Sequence, residues 1–176
     1  MANIDRRKFL KLTATAAAAT AVSNTYAAPK SGAKAKVVVI GAGAAGIDIS
    51  ARLLRMLESP DITIIDPAET HYYQPGFTLI AGGVYKPDEV YKPQKDCIPD
   101  GAKWVKDSVA AVDPDAKTVA TLGGQKIGYD FLVLTPGLVL RWDLIDGIDE
   151  KSLGVGNAHC IYCHSGAIKT RDAVQK

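Results

Sequence analysis

Apolar residues run along this chain in patterns that predict different elements. Residues 35–40, AKVVVI, are a continuous apolar run rich in β-branched side chains. A short run without alternation predicts a strand buried on both faces of a parallel sheet. In residues 47–59, IDISARLLRMLES, the side chains of Ile47, Leu53, Leu54 and Leu57 fall near one helical face, and Ser59-Pro60 ends the helix. Residues 61–67, DITIIDP, predict a second buried strand, completing a βαβ unit. From 68 to 99 the pattern breaks into a loop-rich stretch with five Tyr or Phe and several Pro and Gly. Residues 104–112 and 117–122 alternate and predict two short strands around an Asp113-Pro114-Asp115 turn. Gly123-Gly124 marks another turn, residues 131–134 predict a buried strand, and a last helix is expected from near Ser165 to Lys176.

The 176 residues suffice for one domain with a sizeable core. Charged residues make up 23% and hydrophobic ones 47%, an ordinary globular balance. The N-terminus differs. Arg6-Arg7 precede an Ala/Thr-rich apolar stretch, and small residues at Thr25 and Ala27, or at Ala28, suit a signal peptidase. Residues 1–27 thus read as an export signal, and the arginine pair points to the twin-arginine route into the periplasm. That segment holds four of the 21 basic residues and one of the 19 acidic ones, leaving 17 against 18 and a net charge of −1. Such a chain has no electrostatic footprint for nucleic acid.

Gly41, Gly43 and Gly46 follow the first strand and open the helix, and Asp66 ends the next strand 20 residues on. This order is that of a dinucleotide-binding fingerprint. Gly41 allows the tight turn, Gly43 lets the backbone approach a pyrophosphate, and Gly46 lets helix and strand pack closely. The phosphates then meet free N–H groups at the helix N-terminus, and Asp66 meets the ribose. A strand-to-helix turn without a ligand is the plain alternative.

Residues 129–137, YDFLVLTPG, end in Thr135-Pro136-Gly137. A hydrophobic strand ending in Thr-x-Gly resembles the second FAD contact of flavoprotein reductases with two dinucleotide domains. Those proteins also carry a β-meander between the two motifs. The segment after Asp66, DPAETHYYQPGFTLIAGGVY, resembles sulfide:quinone oxidoreductases through His71, Tyr72, Tyr73, Gln74, Pro75, Gly82 and Gly83. Flavocytochrome c sulfide dehydrogenases and single-subunit NADH:quinone dehydrogenases share that architecture. The sulfide dehydrogenases link their flavin through a cysteine in this segment, but no cysteine lies between Asp66 and Asp96 here.

The expected fold class is α/β: a Rossmann-like FAD-binding domain with a β-meander, its second dinucleotide-type domain largely missing. Residues 28–156 would form the FAD-binding domain and 157–176 the start of the second. The expected cofactor is FAD, held by Gly41, Ala42, Gly43, Ala45, Gly46, Asp66, Pro67, Gln74, Val109, Thr135, Pro136 and Gly137. The resemblance implies sulfide as substrate, attacking a cysteine disulfide and leaving a persulfide. It implies quinone at the membrane surface as acceptor, with a c-type cytochrome the alternative partner. It also places the essential cysteine pair beyond the position of Lys176, so the chain reads as a fragment without activity of its own. A non-catalytic nucleotide-binding module is the alternative from another class.

Cys160-Ile-Tyr-Cys163-His164 leaves four readings open. The spacing matches c-type haem attachment. His159 and His164 beside the pair would suit zinc, although no metal is expected overall. Cys160 and Cys163 are the candidate catalytic residues if they relay electrons as a dithiol, since a neighbouring His can lower a thiol pKa. A structural disulfide or spare thiols is the plainest reading, and Cys97 reads as a spare thiol. On the export signal, Arg6→Lys with Arg7→Lys keeps the charge but removes the guanidinium pair. The precursor should then stay in the cytoplasm, and normal periplasmic accumulation on fractionation would exclude the twin-arginine route.

Overall fold

The computed structural model describes residues 31–149, 151–154 and 156–176. Residues 1–27, read above as an export signal, lie outside the described residues. Four strands run parallel in one sheet. They are β1 (Lys36–Ile40), β2 (Asp61–Ile65), β5 (Ala102–Val105) and β9 (Phe131–Leu134), in the order β5-β2-β1-β9. Helix α1 (Ala44–Met56) makes the crossover from β1 to β2. The α/β class and the βαβ unit are as the sequence predicts.

β1 has no polar face because both of its faces are covered. Val37 and Val39 join Ile62 and Ile64 against Ile49, Leu53 and Leu54 of α1. Val38 joins Ile65 on the other side, under Val119 and the half-buried Val105, Val109 and Ile127. A three-stranded antiparallel meander supplies that cover: β6 (Val109–Asp113), β7 (Thr118–Thr121) and β8 (Lys126–Gly128). Each fully buried Val or Ile contributes about 1.5–3 kcal/mol, so the sheet between two apolar layers is the main source of stability. The core-facing side of α1 includes Ile49 where the periodicity pointed to Ile47. Buried Gly46 and Ser50 set the rotation of the helix, and Ser50 Oγ donates to the Gly46 carbonyl at 2.7 Å.

Three regions depart from the sequence reading. Residues 131–134 form the expected strand, but as an edge strand with Phe131 and Leu134 exposed. The alternating stretch 104–112 is two strands in two different sheets. Residues 102–105 pair with β2, while Val109 starts the meander. Asp107 makes the break, its carboxylate accepting the N–H of Ser108 at 2.7 Å and of Gly123 at 2.9 Å. The stretch 68–99 is ordered rather than loop-like. β3 (Thr70–Tyr72) pairs antiparallel with β4 (Tyr91–Pro93), placing Tyr72 opposite Tyr91, and α2 (Gly76–Ala81) follows β3. Phe77 and Ile80 of α2 are buried with Val90 and with Ala167 of the last helix, α3 (His164–Val174). β3, β4 and α2 are three to six residues long, too short for periodicity to show.

The Thr121 hydroxyl and the Gly123 N–H hold the Asp107 carboxyl below the ordinary carboxylate range, with desolvation opposing them. Its bonds therefore stabilise the fold fully above the unfolded-state value of about 3.9. They are lost as pH falls through the lowered folded value. Asp107→Ala should melt below the wild type at pH 7, and the gap should close steadily between pH 5 and pH 2. A gap that does not change with pH would show that the charge plays no part.

Candidate functional site

The carboxyl ends of the parallel strands share one edge of the sheet, where ligands bind in open α/β folds. β1 ends at Ile40 and the chain turns through Gly41, Ala42 and Gly43 into α1. Gly41 has φ of +99°, and a Cβ there would run into the carbonyl of Thr135. A Cβ on Gly46 would run into the Gly41 carbonyl and come within 2.9 Å of Thr135 Oγ1. Packing alone therefore requires glycine at 41 and 46.

Gly43 is different. Its φ of −69° and ψ of −175° suit any residue, and a Cβ there meets nothing within 4 Å. It borders a cavity of about 820 Å³, near the upper end of the roughly 300–1,000 Å³ range for small-molecule and cofactor sites. No protein group forbids a side chain at 43.

The cavity wall joins separate stretches of chain. Ala42, Gly43, Ala45, Asp66, Gln74, Thr135, Pro136 and Gly137 line it, as do Tyr72 and Tyr73. The first turn of α1 has no side-chain cap and no acidic residue, so its free N–H groups and the positive dipole end are available to an anion. Asp66 Oδ2 accepts the Ala42 N–H at 2.6 Å and Oδ1 accepts the Ala68 N–H at 2.7 Å. Each oxygen keeps a lone pair for a further donor such as a sugar hydroxyl. Thr135 Oγ1 donates to the carbonyls of Ile40 at 2.9 Å and Gly41 at 3.1 Å. The second motif thus buttresses the first.

Gly41 and Gly46 stand behind this wall, and Pro67 is exposed beside Asp66 outside the lining. The structure does not bring Val109 to the cavity. Its side chain packs into the layer between sheet and meander, with Val119 and Ile65. Gln94 has no counterpart in the sequence reading. It is buried at the cavity wall and its Nε2 donates to the Ala42 carbonyl at 2.8 Å. No motif marks it, because its partner lies 52 residues away.

Cys160 and Cys163 lie just before α3, and with Cys97 they are free thiols. Cys163 immediately precedes α3, with Sγ 3.7 Å from Ser165 Oγ, and Cys160 Sγ accepts the Tyr162 N–H at 3.2 Å. Among the described residues no His, Cys, Asp and Glu cluster is built to hold a metal ion. Both neighbouring histidines turn a nitrogen to backbone, His159 to Gly156 and His164 to Pro87, the latter at 2.9 Å. The His164 ring packs against Tyr72, centroids 5.2 Å apart, and against Phe77 and Tyr91. Cys163 borders a smaller cavity of about 490 Å³ whose wall includes Tyr72 and Gln74, residues that also line the main one. The thiol segment is therefore a neighbour of the cavity and does not line it.

The family model described as pyridine nucleotide-disulphide oxidoreductase matches residues 35–164. The chain belongs to that family. Its members are FAD-binding flavoproteins of α/β fold. Relatives include the mitochondrial sulfide:quinone oxidoreductase of Dictyostelium discoideum, 39% identical over 141 residues, or 80% of this chain and 31% of that one. The sulfide-quinone reductase of Aquifex aeolicus is 32% identical over 123 residues, covering 69% and 28%. The solved structure of the Aquifex aeolicus sulfide:quinone oxidoreductase superposes with a TM-score of 0.63 at 28% identity, over 81% of this chain and 32% of that one. The chain spans less than a third of the length of these relatives.

The three glycines separate packing from ligand space, and substitution should show it. Gly46→Val should cost about 3 kcal/mol, the upper end of ordinary overpacking. Gly43→Val should cost less than about 1 kcal/mol, within the range of helix-cap changes. Denaturant unfolding of the ligand-free protein measures both, and equal losses would remove the distinction.

Proposed function

We propose that the cavity holds FAD and that the chain is the FAD-binding part of a sulfide:quinone oxidoreductase. The observation that carries the FAD reading is Gly43, a glycine facing a cofactor-sized cavity with no protein neighbour that requires it. On this reading Asp66 holds the adenosine ribose, and Gly43 with the first turn of α1 holds the pyrophosphate. Thr135, Pro136 and Gly137 border the remainder. Tyr72 and Tyr73 cover the open side and keep water from the reacting centre. FAD, when bound, takes two electrons from a donor and hands them to an acceptor. Sulfide as donor and quinone as acceptor are supported by the similarity to the Dictyostelium and Aquifex proteins and by the family resemblance of the segment from His71 to Pro75.

Two measurements test this. The purified protein should keep flavin absorbance through desalting, and Gly43→Val should lose it while remaining folded. Full retention in Gly43→Val would remove the FAD assignment. In an enzyme spanning the relatives' full length, sulfide should bleach the flavin and a soluble quinone should restore its colour. Bleaching by NADH and not by sulfide would replace the sulfide reading with an NADH:quinone one.

A further inference from the structure

Gln94 belongs to no motif, yet it is 2% exposed and among the largest fully buried side chains. A buried amide needs a partner, and the partner here is specific. Nε2 reaches the carbonyl of Ala42, in the middle of the glycine turn. Gln94 opens a short 3-10 turn, Gln94–Asp96, directly after β4. Its own N–H donates to the Glu69 carbonyl at 2.8 Å. The amide is thus anchored on the β3–β4 arm, the arm that also carries Tyr72.

Peptide geometry shows what the bond does. The Ala42 carbonyl and the Gly43 N–H belong to one planar trans peptide and point in opposite directions. Gripping the carbonyl therefore aims the Gly43 N–H away from Gln94. The preceding peptide is held from both sides, its N–H by Asp66 Oδ2 and its carbonyl by Thr135 Oγ1. For the peptide between Ala42 and Gly43, the grip comes from Gln94. Without it the Ala42 carbonyl has no hydrogen bond from Gln94, and a rotation of the peptide would turn the oxygen toward the side the Gly43 N–H now faces.

We propose that Gln94 is a positioning residue for the diphosphate of the bound dinucleotide. It holds the Ala42 carbonyl back so that the Gly43 N–H is presented to a phosphate oxygen. This rests on the FAD reading above. It differs from a simple structural role, in which Gln94 only ties the arm to the turn and every ligand would suffer alike.

The test measures affinity for FAD, ADP and adenosine by calorimetry, in the wild type and in Gln94→Leu, which keeps the bulk and removes the donor. FAD and ADP should bind at least tenfold more weakly to Gln94→Leu, and adenosine less than twofold more weakly. Equal losses for all three, or none, would overturn the proposal. A wild type that binds neither FAD nor ADP would overturn the FAD reading itself, a different result. Gln94→Glu decides the matter if Gln94→Leu does not fold. A neutral carboxylic acid donates the same bond, whereas a carboxylate repels the carbonyl. Burial lifts that carboxyl above its ordinary value of about 4.3. FAD affinity of Gln94→Glu should approach the wild type at pH 5 and fall at least tenfold by pH 8, with the wild type nearly flat. Parallel pH profiles would overturn the proposal.

Discussion

Helix α1 reaches the end of β1 because no side chain stands between Gly46 and the carbonyl of Gly41, or between Gly41 and the carbonyl of Thr135. Backbone meets backbone at this point, and the rest of the site follows from it. The contact fixes the rotation of α1, so Leu53 and Leu54 fall on the sheet and the uncapped first turn faces the cavity. It also fixes the register between β1 and β9, where Ile40 lies opposite Leu134 and Thr135 donates back to Ile40. A side chain at Gly46 would push the helix outward, and one at Gly41 would push back the chain at the end of β9.

The cavity is assembled from places far apart in sequence because parallel strands deliver their carboxyl ends to one edge of a sheet. Asp66 arrives at the end of β2 and Thr135 at the end of β9. Gln94 comes from neither. It arrives on the β3–β4 arm, which lies outside the parallel sheet. The arm brings the aromatic cover too, since Tyr72 stacks with Tyr91 and His164. Helix α3 is thereby coupled to the cavity through one aromatic ring.

The parts of the molecule that were legible in the sequence are those whose cause is local. β1 shows itself as an unbroken apolar run because both its faces are covered. The glycine spacing and Asp66 are legible because a strand, a turn and a helix must follow one another directly to form the site. The stretch 104–112 misled because alternation reports burial on one side and not which sheet does the burying. The break there depends on Asp107 reaching Gly123, across 16 residues. The side chain of Val109 is buried against the meander and does not line the cavity, which its place in the sequence did not show. Gln94 was invisible, since a polar residue in a Pro-Lys-rich segment looks like surface until the fold buries it. The Cys160 and Cys163 spacing admitted several chemistries because spacing alone sets no neighbours.

The hydrogen bonds on Ala42 have a thermodynamic consequence. Asp66 and Gln94 hold this residue by its N–H and its carbonyl through bonds within the protein itself. Restricting one residue of backbone costs about 1–2 kcal/mol of conformational entropy, and glycine loses more freedom than any other residue. For the turn from Gly41 to Gly43 that amounts to several kcal/mol, met during folding and so absent from the free energy of ligand capture. On the FAD reading, affinity at this turn is therefore drawn from the stability of β2, which carries Asp66, and of the β3–β4 arm, which carries Gln94. On that reading, loosening the turn would move this cost from folding to binding.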